Sequence, residues 1–404
     1  MQFQSIIGQK DTKEQLVHMI QQNRLSHALL FLGKEGSGAL QLAMAFAQYI
    51  VCEKVNGKDA ARQAPAEVSL FGDPEPVATA SEPFNFTDSC GVCAACTKAD
   101  KVVHPDIHFS YPVLPRKSGD KPISTDYIVQ WREFISIQPY GNVYDWLQFI
   151  GAENKQGNIT AEECNDIIRK MSLKSFESKY KVLIIWMPEY LNKNGNRLLK
   201  LIEEPPPNTL FILVAENEGQ ILPTIISRTQ LVKIPLLSNM EVEAALELKA
   251  GVSVEKATQL AKLAEGNYRE AVQLLQHVDD DWQEVLREWL NFIVKKNMSG
   301  QVKWIEDMSK QGREKQKQFI KYFIHLLEDA IRLRIIETDS DTVTSDFAVR
   351  INKMCSVPQQ EAIVNELDKA TYYIERNANT KMLFHALSIK LYHIISNNSL
   401  ILVN

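Results

Sequence analysis

The chain has 404 residues, of which 45% are hydrophobic and 24% charged, and its formal net charge at pH 7 is -5. This length is sufficient for about two or three domains with buried cores. The acidic balance argues against a protein that binds nucleic acid over its whole surface. No apolar run approaches the ~20 residues of a membrane span, and the N-terminus lacks the basic and then apolar pattern of a signal peptide. We therefore expect a cytoplasmic protein with no membrane partner.

A strand, a glycine-rich loop and a helix follow one another near the N-terminus. The sequence predicts a strand over Ala28–Leu32 and a helix over Ala39–Val51, with the loop Gly33–Gly38 between them. The backbone N–H groups of such a loop and the helix N-terminus can cradle phosphates. The phosphate-loop pattern G-x-x-x-x-G-K-[ST], however, places Ala39 where Lys belongs and Leu40 where Ser or Thr belongs. Because the Lys charge and the Mg²⁺-binding hydroxyl are both missing, we expect the chain not to bind ATP.

The stretch from Lys181 to Thr229 organises the rest of the chain. Two apolar runs, Lys181–Trp186 and Leu210–Ala215, flank a segment with leucines at helical spacing, and the sequence predicts a last strand over Gln230–Ile234. Strands that are apolar throughout are typical of a parallel sheet covered on both faces. We therefore predict an α/β fold with a parallel sheet.

The same stretch resembles the core of the clamp-loader branch of the AAA+ ATPases. In that family a Walker B strand leads to a helix ending Leu-Leu-Lys-x-(Leu/Ile)-Glu-Glu-Pro-Pro, which here is Leu198–Pro206. The family's Ser-Arg-Cys motif has its counterpart in Ser227-Arg228-Thr229, and its sensor 2 segment resembles Gly266–Arg269. The order and spacing of these motifs make the resemblance specific.

The resemblance implies three domains. We expect an AAA+ nucleotide-binding-like domain of the parallel-sheet, P-loop type over 1–236, with a zinc module inserted over 52–104. A small helical lid domain is expected over 237–278. From Asp279 onward the composition shifts and nearly the whole chain has a helical pattern. The resemblance therefore implies an all-helical collar domain for oligomerisation over 279–404.

The Walker B acids of the family are also missing. Trp186 and Met187 stand where one acid holds Mg²⁺ and the other polarises water, and Pro188 shifts the nearby Glu189 out of register. Two separate losses at one site argue against ATP hydrolysis by this chain. We expect no intrinsic ATPase activity.

A cysteine set predicts a zinc site. Cys90, Cys93 and Cys96 form two consecutive CxxC steps, which can wrap one tetrahedral ion, and Cys52 at the end of a predicted helix is the nearby fourth thiolate. The resemblance implies a structural Zn²⁺ at this point of the chain. The alternatives are four unrelated reduced cysteines, or a site whose fourth ligand is His104.

The resemblance implies a non-hydrolysing stator subunit of the bacterial replicative polymerase's clamp loader. Its expected partners are the motor subunits (gamma/tau) and the delta subunit, with the sliding clamp and primer–template DNA reached through the assembled ring. Arg228 would then be a trans arginine finger facing ATP bound by a neighbouring motor subunit. A surface salt bridge from Arg228 to Glu203 or Glu204 is the alternative for this residue.

Two other functions remain open from the sequence. The chain could be a motor-type clamp-loader ATPase, or a helicase-like AAA+ protein, with a non-standard nucleotide loop. It could also be a nucleic-acid-binding module built on the zinc knuckle, although Lys98 and Lys101 are the few basic residues there and aromatic residues are not interleaved with them. Nucleotide affinity of the isolated chain separates the motor from the stator.

Overall fold

The computed structural model describes residues 1–56, 87–115, 117, 119–151, 157–276, 282–335, 346–375 and 378–397. The chain divides into two compact units, Met1–Gln276 and His277–Asn404. Most of the segment 53–89, which separates Cys52 from Cys90, lies outside the described residues. Among the residues that are described, no helix is long and apolar enough to cross a membrane.

The first unit is built on a five-stranded sheet in which all neighbouring strands are parallel. Its strand order is β2-β3-β4-β1-β5. The strands are β1 (Ala28–Gly33), β2 (Ile107–Ser110), β3 (Lys181–Trp186), β4 (Thr209–Ala215) and β5 (Gln230–Ile234). Every residue of β3 and β4 is buried, which explains why their sequences are apolar throughout. The predicted parallel-sheet fold is confirmed.

Helices pack around this sheet. The α-helices of the first unit are α1 (Lys10–Gln21), α2 (Ala39–Val51), α3 (Ala94–Asp100), α4 (Ile128–Ile137), α5 (Val143–Phe149), α6 (Ala161–Ser172), α7 (Leu199–Glu203), α8 (Pro223–Ile226), α9 (Asn239–Ala250), α10 (Val254–Ala264) and α11 (Tyr268–Gln276). Short 3₁₀ helices span Phe3–Ser5, Ser124–Tyr127, Pro188–Leu198 and Glu218–Gln220.

Apolar clusters cover both faces of the sheet. Successive residues of β4 alternate between them, as the period of two in a strand requires. Ile212 and Val214 join the cluster that contains α2, whereas Phe211 and Leu213 join the cluster that contains α6. A third cluster is formed mainly by α9, α10 and α11.

The segment after β3 differs from the single helix that the leucine spacing predicts. It is a 3₁₀ helix over Pro188–Leu198, and the α-helix α7 begins only at Leu199. Asn192 interrupts it with φ 48° and ψ -139°, which are not helical values. Leu191 and Leu198 are nevertheless buried. Their spacing therefore reports burial of one side of the segment and not a continuous α-helix.

The described part of the second unit consists of helices joined by short connections. Its helices are α12 (Trp282–Val294), α13 (Met298–Lys310), α14 (Arg313–Ile335), α15 (Asp346–Met354), α16 (Val357–Glu375) and α17 (Thr380–Asn397). Trp289 stacks on Trp304 with ring centroids 4.9 Å apart. Phe319, Phe323 and Leu327 are fully buried, which agrees with the i, i+4 apolar order of α14.

Candidate functional site

The glycine loop connects β1 to α2, as the sequence predicts. Gly36 and Gly38 have φ of 73° and 86°, a left-handed backbone that favours glycine. The cavity at this loop has a volume of about 30 Å³ and is also lined by Tyr140, Trp186 and Glu216. That volume holds about one water molecule, whereas small-molecule sites usually enclose roughly 300–1,000 Å³.

Arg269 of α11 reaches the glycine loop. Its side chain is 5% exposed, and its Nη1 donates a hydrogen bond to Glu35 Oε1 at 2.7 Å. Its Nε and Nη2 donate to Asp145 Oδ2 and Oδ1 at 2.5 and 2.7 Å. Asn142 Nδ2 donates to the second Glu35 oxygen at 2.8 Å. Three distant segments of the chain thus meet in one charged cluster, which we call the Arg269 cluster.

The carboxyl end of β3 carries apolar residues. Trp186 and Met187 are both buried. Glu189 lies just beyond them, and its Oε1 accepts hydrogen bonds from the backbone N–H groups of Glu216 at 2.7 Å and Asn217 at 2.9 Å. Burial raises the pKa of Glu189. This carboxyl group therefore holds the segment that follows β4.

The four predicted zinc ligands converge. Cys52 follows α2, Cys93 is the N-cap of α3, and the sulfur atoms of Cys52, Cys90, Cys93 and Cys96 all lie within 4.8 Å of one another. The Cys90 and Cys96 sulfurs are 3.9 Å apart. Zn–S bonds of ~2.3 Å in a tetrahedron place sulfurs about 3.8 Å apart, so the set fits a Cys₄ zinc site.

Backbone N–H groups support the sulfur atoms. The N–H groups of Cys90, Cys93 and Cys96 donate to the sulfurs of Cys52, Cys90 and Cys93, each at 3.4 Å. A hydrogen bond with the Cys96 side chain lowers the pKa of Cys52 to about 5, whereas the same pair raises the pKa of Cys96 and burial raises that of Cys93. A zinc ligand is a thiolate, so binding of the ion would release protons from the other cysteines.

His104 is positioned as a structural residue. Its Nδ1 accepts a hydrogen bond from the Asp106 N–H at 3.1 Å, and its Nε2 lies 3.2 Å from Glu177 Oε1. The Asp106 carboxylate in turn accepts from the backbone of Phe176, Glu177 and Ser178. His104 therefore fixes the loop before β3 and does not belong to the cysteine cluster.

Arg228 follows α8 and is about one-third exposed. Its Nε donates to Glu203 Oε1 at 2.5 Å, and its Nη1 donates to the Thr224 carbonyl at 2.8 Å. Glu203 belongs to the Glu-Glu-Pro-Pro segment, so two of the motifs on which the resemblance rests touch each other. In the chain by itself, Arg228 makes the surface salt bridge that the sequence leaves open as an alternative.

Comparison with known proteins identifies the family. The chain matches the family model described as "DNA polymerase III, delta subunit" over residues 8–69 and 78–238, which is more than half of its length. The chain belongs to this family.

Curated relatives agree with membership in the DNA polymerase III delta-subunit family, a clamp-loader family of AAA+ proteins. DNA polymerase III subunit delta' of Bacillus subtilis is 27% identical over 260 residues, covering 64% of this chain and 56% of that protein. Subunit tau of the same organism is 24% identical over 279 residues, covering 68% and 37%. Subunit delta' of Pseudomonas aeruginosa is 26% identical over 204 residues, covering 50% and 41%.

The matches span 56% or less of the length of these three relatives. Subunits of two kinds, delta' and tau, occur among them. Similarity alone therefore does not assign this member of the delta-subunit family to one kind.

The sequence identifies Arg269 as part of a sensor 2 segment, but it does not predict the two carboxylates that bond to its guanidinium group. Glu35 and Asp145 lie 234 and 124 positions away along the chain. One signal in the sequence was Glu35, an acidic residue inside the glycine loop. A negative charge there opposes phosphate binding and indicates a different partner for the loop.

Proposed function

We propose that this chain is the delta'-type, non-hydrolysing stator subunit of the clamp loader of a bacterial replicative DNA polymerase. In that role it supports ATP-dependent loading of the sliding clamp onto primed DNA. The observation that carries the proposal is the state of its nucleotide pocket, in which the glycine loop is retained but the cavity is about 30 Å³.

The chemistry of the pocket supports the same conclusion. Ala39 and Leu40 provide neither a cation nor a hydroxyl, and Trp186 provides no acid for Mg²⁺. The Arg269 cluster adds two carboxylates for one guanidinium, so it presents a formal excess of one negative charge beside the loop. The charge of Arg269 is thus already compensated by carboxylates, and Lys34 is the remaining cation among the residues that line the cavity.

Arg228 is the residue with which a stator subunit could assist ATP hydrolysis on a neighbouring subunit. Its guanidinium is always charged, and its planar fork of donors suits phosphate oxygens. The salt bridge with Glu203 is partly exposed, and such pairs contribute about 0–1 kcal/mol, so Arg228 can exchange it for a neighbour's phosphate at little cost. We propose ATP of a gamma/tau motor subunit as that ligand.

Structural zinc is the cofactor that the cysteine cluster fits. Cys52, Cys90, Cys93 and Cys96 would hold it, and four thiolates leave no open position for water or substrate. Its contribution is to the folding of the segment around α3. No reaction step is assigned to it.

A motor-type, gamma/tau-like ATPase is the second proposal. The tau relative and the retained Arg269 favour it. This alternative requires the chain to bind ATP, which the stator proposal excludes.

Reconstitution tests the two proposals. The purified chain is assayed for ATP binding by calorimetry and for turnover, and is then combined with motor and delta subunits. We expect no micromolar ATP affinity and no turnover by the chain alone, but an increase in DNA-stimulated ATPase and clamp loading when it joins the other subunits. Turnover by the chain alone, abolished by substitution of Gly38, would establish the motor proposal instead.

A further inference from the structure

The Arg269 cluster joins three parts of the first unit. Arg269 lies in the first turn of α11, Asp145 belongs to the first turn of α5, and Glu35 lies within the glycine loop. Asp145 is held in place because its Oδ2 also accepts the Asn142 N–H at 3.0 Å. The guanidinium is thereby fixed over the loop by groups that are themselves positioned.

Glu35 has the bonding pattern of an anionic ligand. Its Oε1 accepts from Arg269 Nη1 at 2.7 Å and from Asn267 Nδ2 at 3.3 Å, and its Oε2 accepts from Asn142 Nδ2 at 2.8 Å. Carboxylate and phosphate oxygens both accept hydrogen bonds from a guanidinium group, and here Asp145 accepts from Nε and Nη2 while Glu35 accepts from Nη1. Glu35 therefore supplies from within the loop what a bound phosphate would supply from outside.

The segment that carries Arg269 rests directly on the loop. A Cβ at Gly36 would lie 1.9 Å from Asn267 Oδ1 and 2.8 Å from the Tyr268 backbone nitrogen, so only glycine leaves room for this segment. On the other side of the loop, a Cβ at Gly38 would lie 3.1 Å from Tyr140, whose ring packs edge-on against Tyr268 at 4.9 Å. The contacts leave little space between the loop and α11.

We propose that Glu35, assisted by Asp145, replaces a nucleotide phosphate as the ligand of Arg269 and fixes helices α9–α11 on the sheet without nucleotide. Glu35 is a positioning residue in this scheme. The helices over 239–276 are held in one arrangement whether or not ATP is present in solution. The proposal concerns the chain by itself and holds whichever partners the chain has.

Hydrogen exchange of the full-length chain tests the proposal. Glu35→Ala removes the ligand, Glu35→Gln keeps an acceptor but removes the charge, and Glu162→Gln changes an exposed acid on α6 as the control. We expect amides of 239–276 to exchange on the order of tenfold faster in Glu35→Ala and less so in Glu35→Gln. Exchange in β3 and β4 should stay unchanged, and Glu162→Gln should match the wild type.

Rescue by an external anion separates a phosphate substitute from an ordinary salt bridge. Millimolar pyrophosphate should slow exchange of 239–276 in Glu35→Ala, because Arg269 regains an anionic ligand, and should have no effect on the wild type. Arg269→Lys, which keeps the charge but loses the fork, should accelerate the same segment and resist rescue. If Glu35→Ala does not fold, Glu35→Gln and Arg269→Lys decide the matter.

Three results would overturn the proposal. These are unchanged exchange in 239–276, acceleration spread evenly over the first unit, and a pyrophosphate effect on the wild type equal to that on Glu35→Ala. None of these readouts involves clamp loading or a partner subunit, so failure here is distinct from failure of the stator proposal.

Discussion

Cys93 caps α3 and contributes one of the four clustered sulfurs, so its removal tests the metal site directly. We expect Cys93→Ser to lose zinc and to loosen the segment around α3 while the sheet stays folded, because the sheet has its own apolar clusters. Metal analysis and hydrogen exchange measure the two effects. Cys164→Ala, at a buried cysteine outside the cluster, is the control and should keep its zinc.

Cys52 deserves a separate variant because its loop to Cys90 includes residues outside the described ones. Cys52→Ser should lower zinc affinity as Cys93→Ser does. Full zinc affinity in Cys52→Ser would mean that the fourth ligand lies elsewhere, with His104 the next residue to test. Protein purified without chelator that contains no zinc would contradict the site altogether.

Glu189 shows how a residue near a Walker B position can serve the fold. Glu189→Ala leaves the N–H groups of Glu216 and Asn217 without their acceptor and should cost about 1–3 kcal/mol of unfolding free energy. Glu189→Gln keeps an acceptor and should cost less. Urea denaturation of the three proteins measures the difference, and equal stability of Glu189→Ala and wild type would contradict this role.

The same carboxyl group predicts a pH dependence. Burial raises the folded-state pKa of Glu189 above the ordinary glutamate value of 4.5. Its contribution to stability is therefore full below pH 4.5 and is lost as the pH rises through the folded pKa. The stability of wild type relative to Glu189→Gln should fall from acid to neutral pH, and a constant difference would show that Glu189 does not titrate in this range.

At the scale of the element, the end of β3 belongs to an aromatic layer. Trp186 lies 5.1 Å from Trp131 and 6.3 Å from Phe134, measured between ring centroids, and is 4% exposed. An acid at this position would be a buried charge without a partner. The presence of Trp186 at the end of β3 is thus tied to the packing of the core.

Restoring that acid should accordingly fail to restore an ATPase. We expect Trp186→Asp to lower the free energy of unfolding by about 3 kcal/mol or more, because it creates a cavity and buries a carboxylate. Trp186→Phe, which stays apolar, should cost clearly less. Denaturation curves and ATP turnover of both variants check this, and a stable, ATP-hydrolysing Trp186→Asp would contradict it.

Local patterns predicted the elements well where burial determined composition. The sequence predicts β3 and β4 correctly because the strands of a parallel sheet that is buried on both faces are apolar throughout. The sequence also predicts that Cys90, Cys93 and Cys96 converge, because they are only three residues apart along the chain. The segment over Pro188–Leu198 was predicted wrongly as part of one helix, since apolar spacing does not reveal the positive φ of Asn192.

The Arg269 cluster could not be predicted because its pairing depends on the complete fold. Glu35, Asp145 and Arg269 come from three elements whose approach depends on how α9–α11 pack beside the sheet. Local sequence patterns do not predict which residues from distant parts of the chain come into contact. From Ala39 and Leu40 the sequence predicts a glycine loop that binds no ATP, but it does not predict that the loop's own acid bonds to the arginine.

At the scale of the whole molecule, each of the two units has its own core. Trp289 and Phe319 centre the core of the second unit, and the sheet centres the first. The division into AAA+, lid and collar domains stays a prediction, as does the assembly of the second unit into a collar. The function proposed for the whole chain depends on such an assembly, because the ATP that Arg228 is proposed to contact is bound by a neighbouring subunit.

The ring is where Arg228 is expected to act. Arg228→Ala should leave folding and ring assembly intact but lower DNA-stimulated ATP hydrolysis and clamp loading by the reconstituted complex. A trans arginine can contribute on the order of 10³-fold to turnover at its site. The total rate should fall by less, since other sites in the ring keep their own arginines.

Two further variants separate catalysis from structure at this position. Arg228→Lys keeps a positive charge but loses the planar fork, so it should resemble Arg228→Ala in ATPase rate while preserving any simple charge attraction. Glu203→Gln breaks the salt bridge but leaves the guanidinium, so it should retain or raise activity because Arg228 is released toward the neighbour. If Glu203→Gln lowers activity as much as Arg228→Ala, the salt bridge itself is the functional contact. If Arg228→Ala abolishes assembly while the chain stays folded, Arg228 is an interface residue and the arginine acting on the motor's ATP must be sought elsewhere.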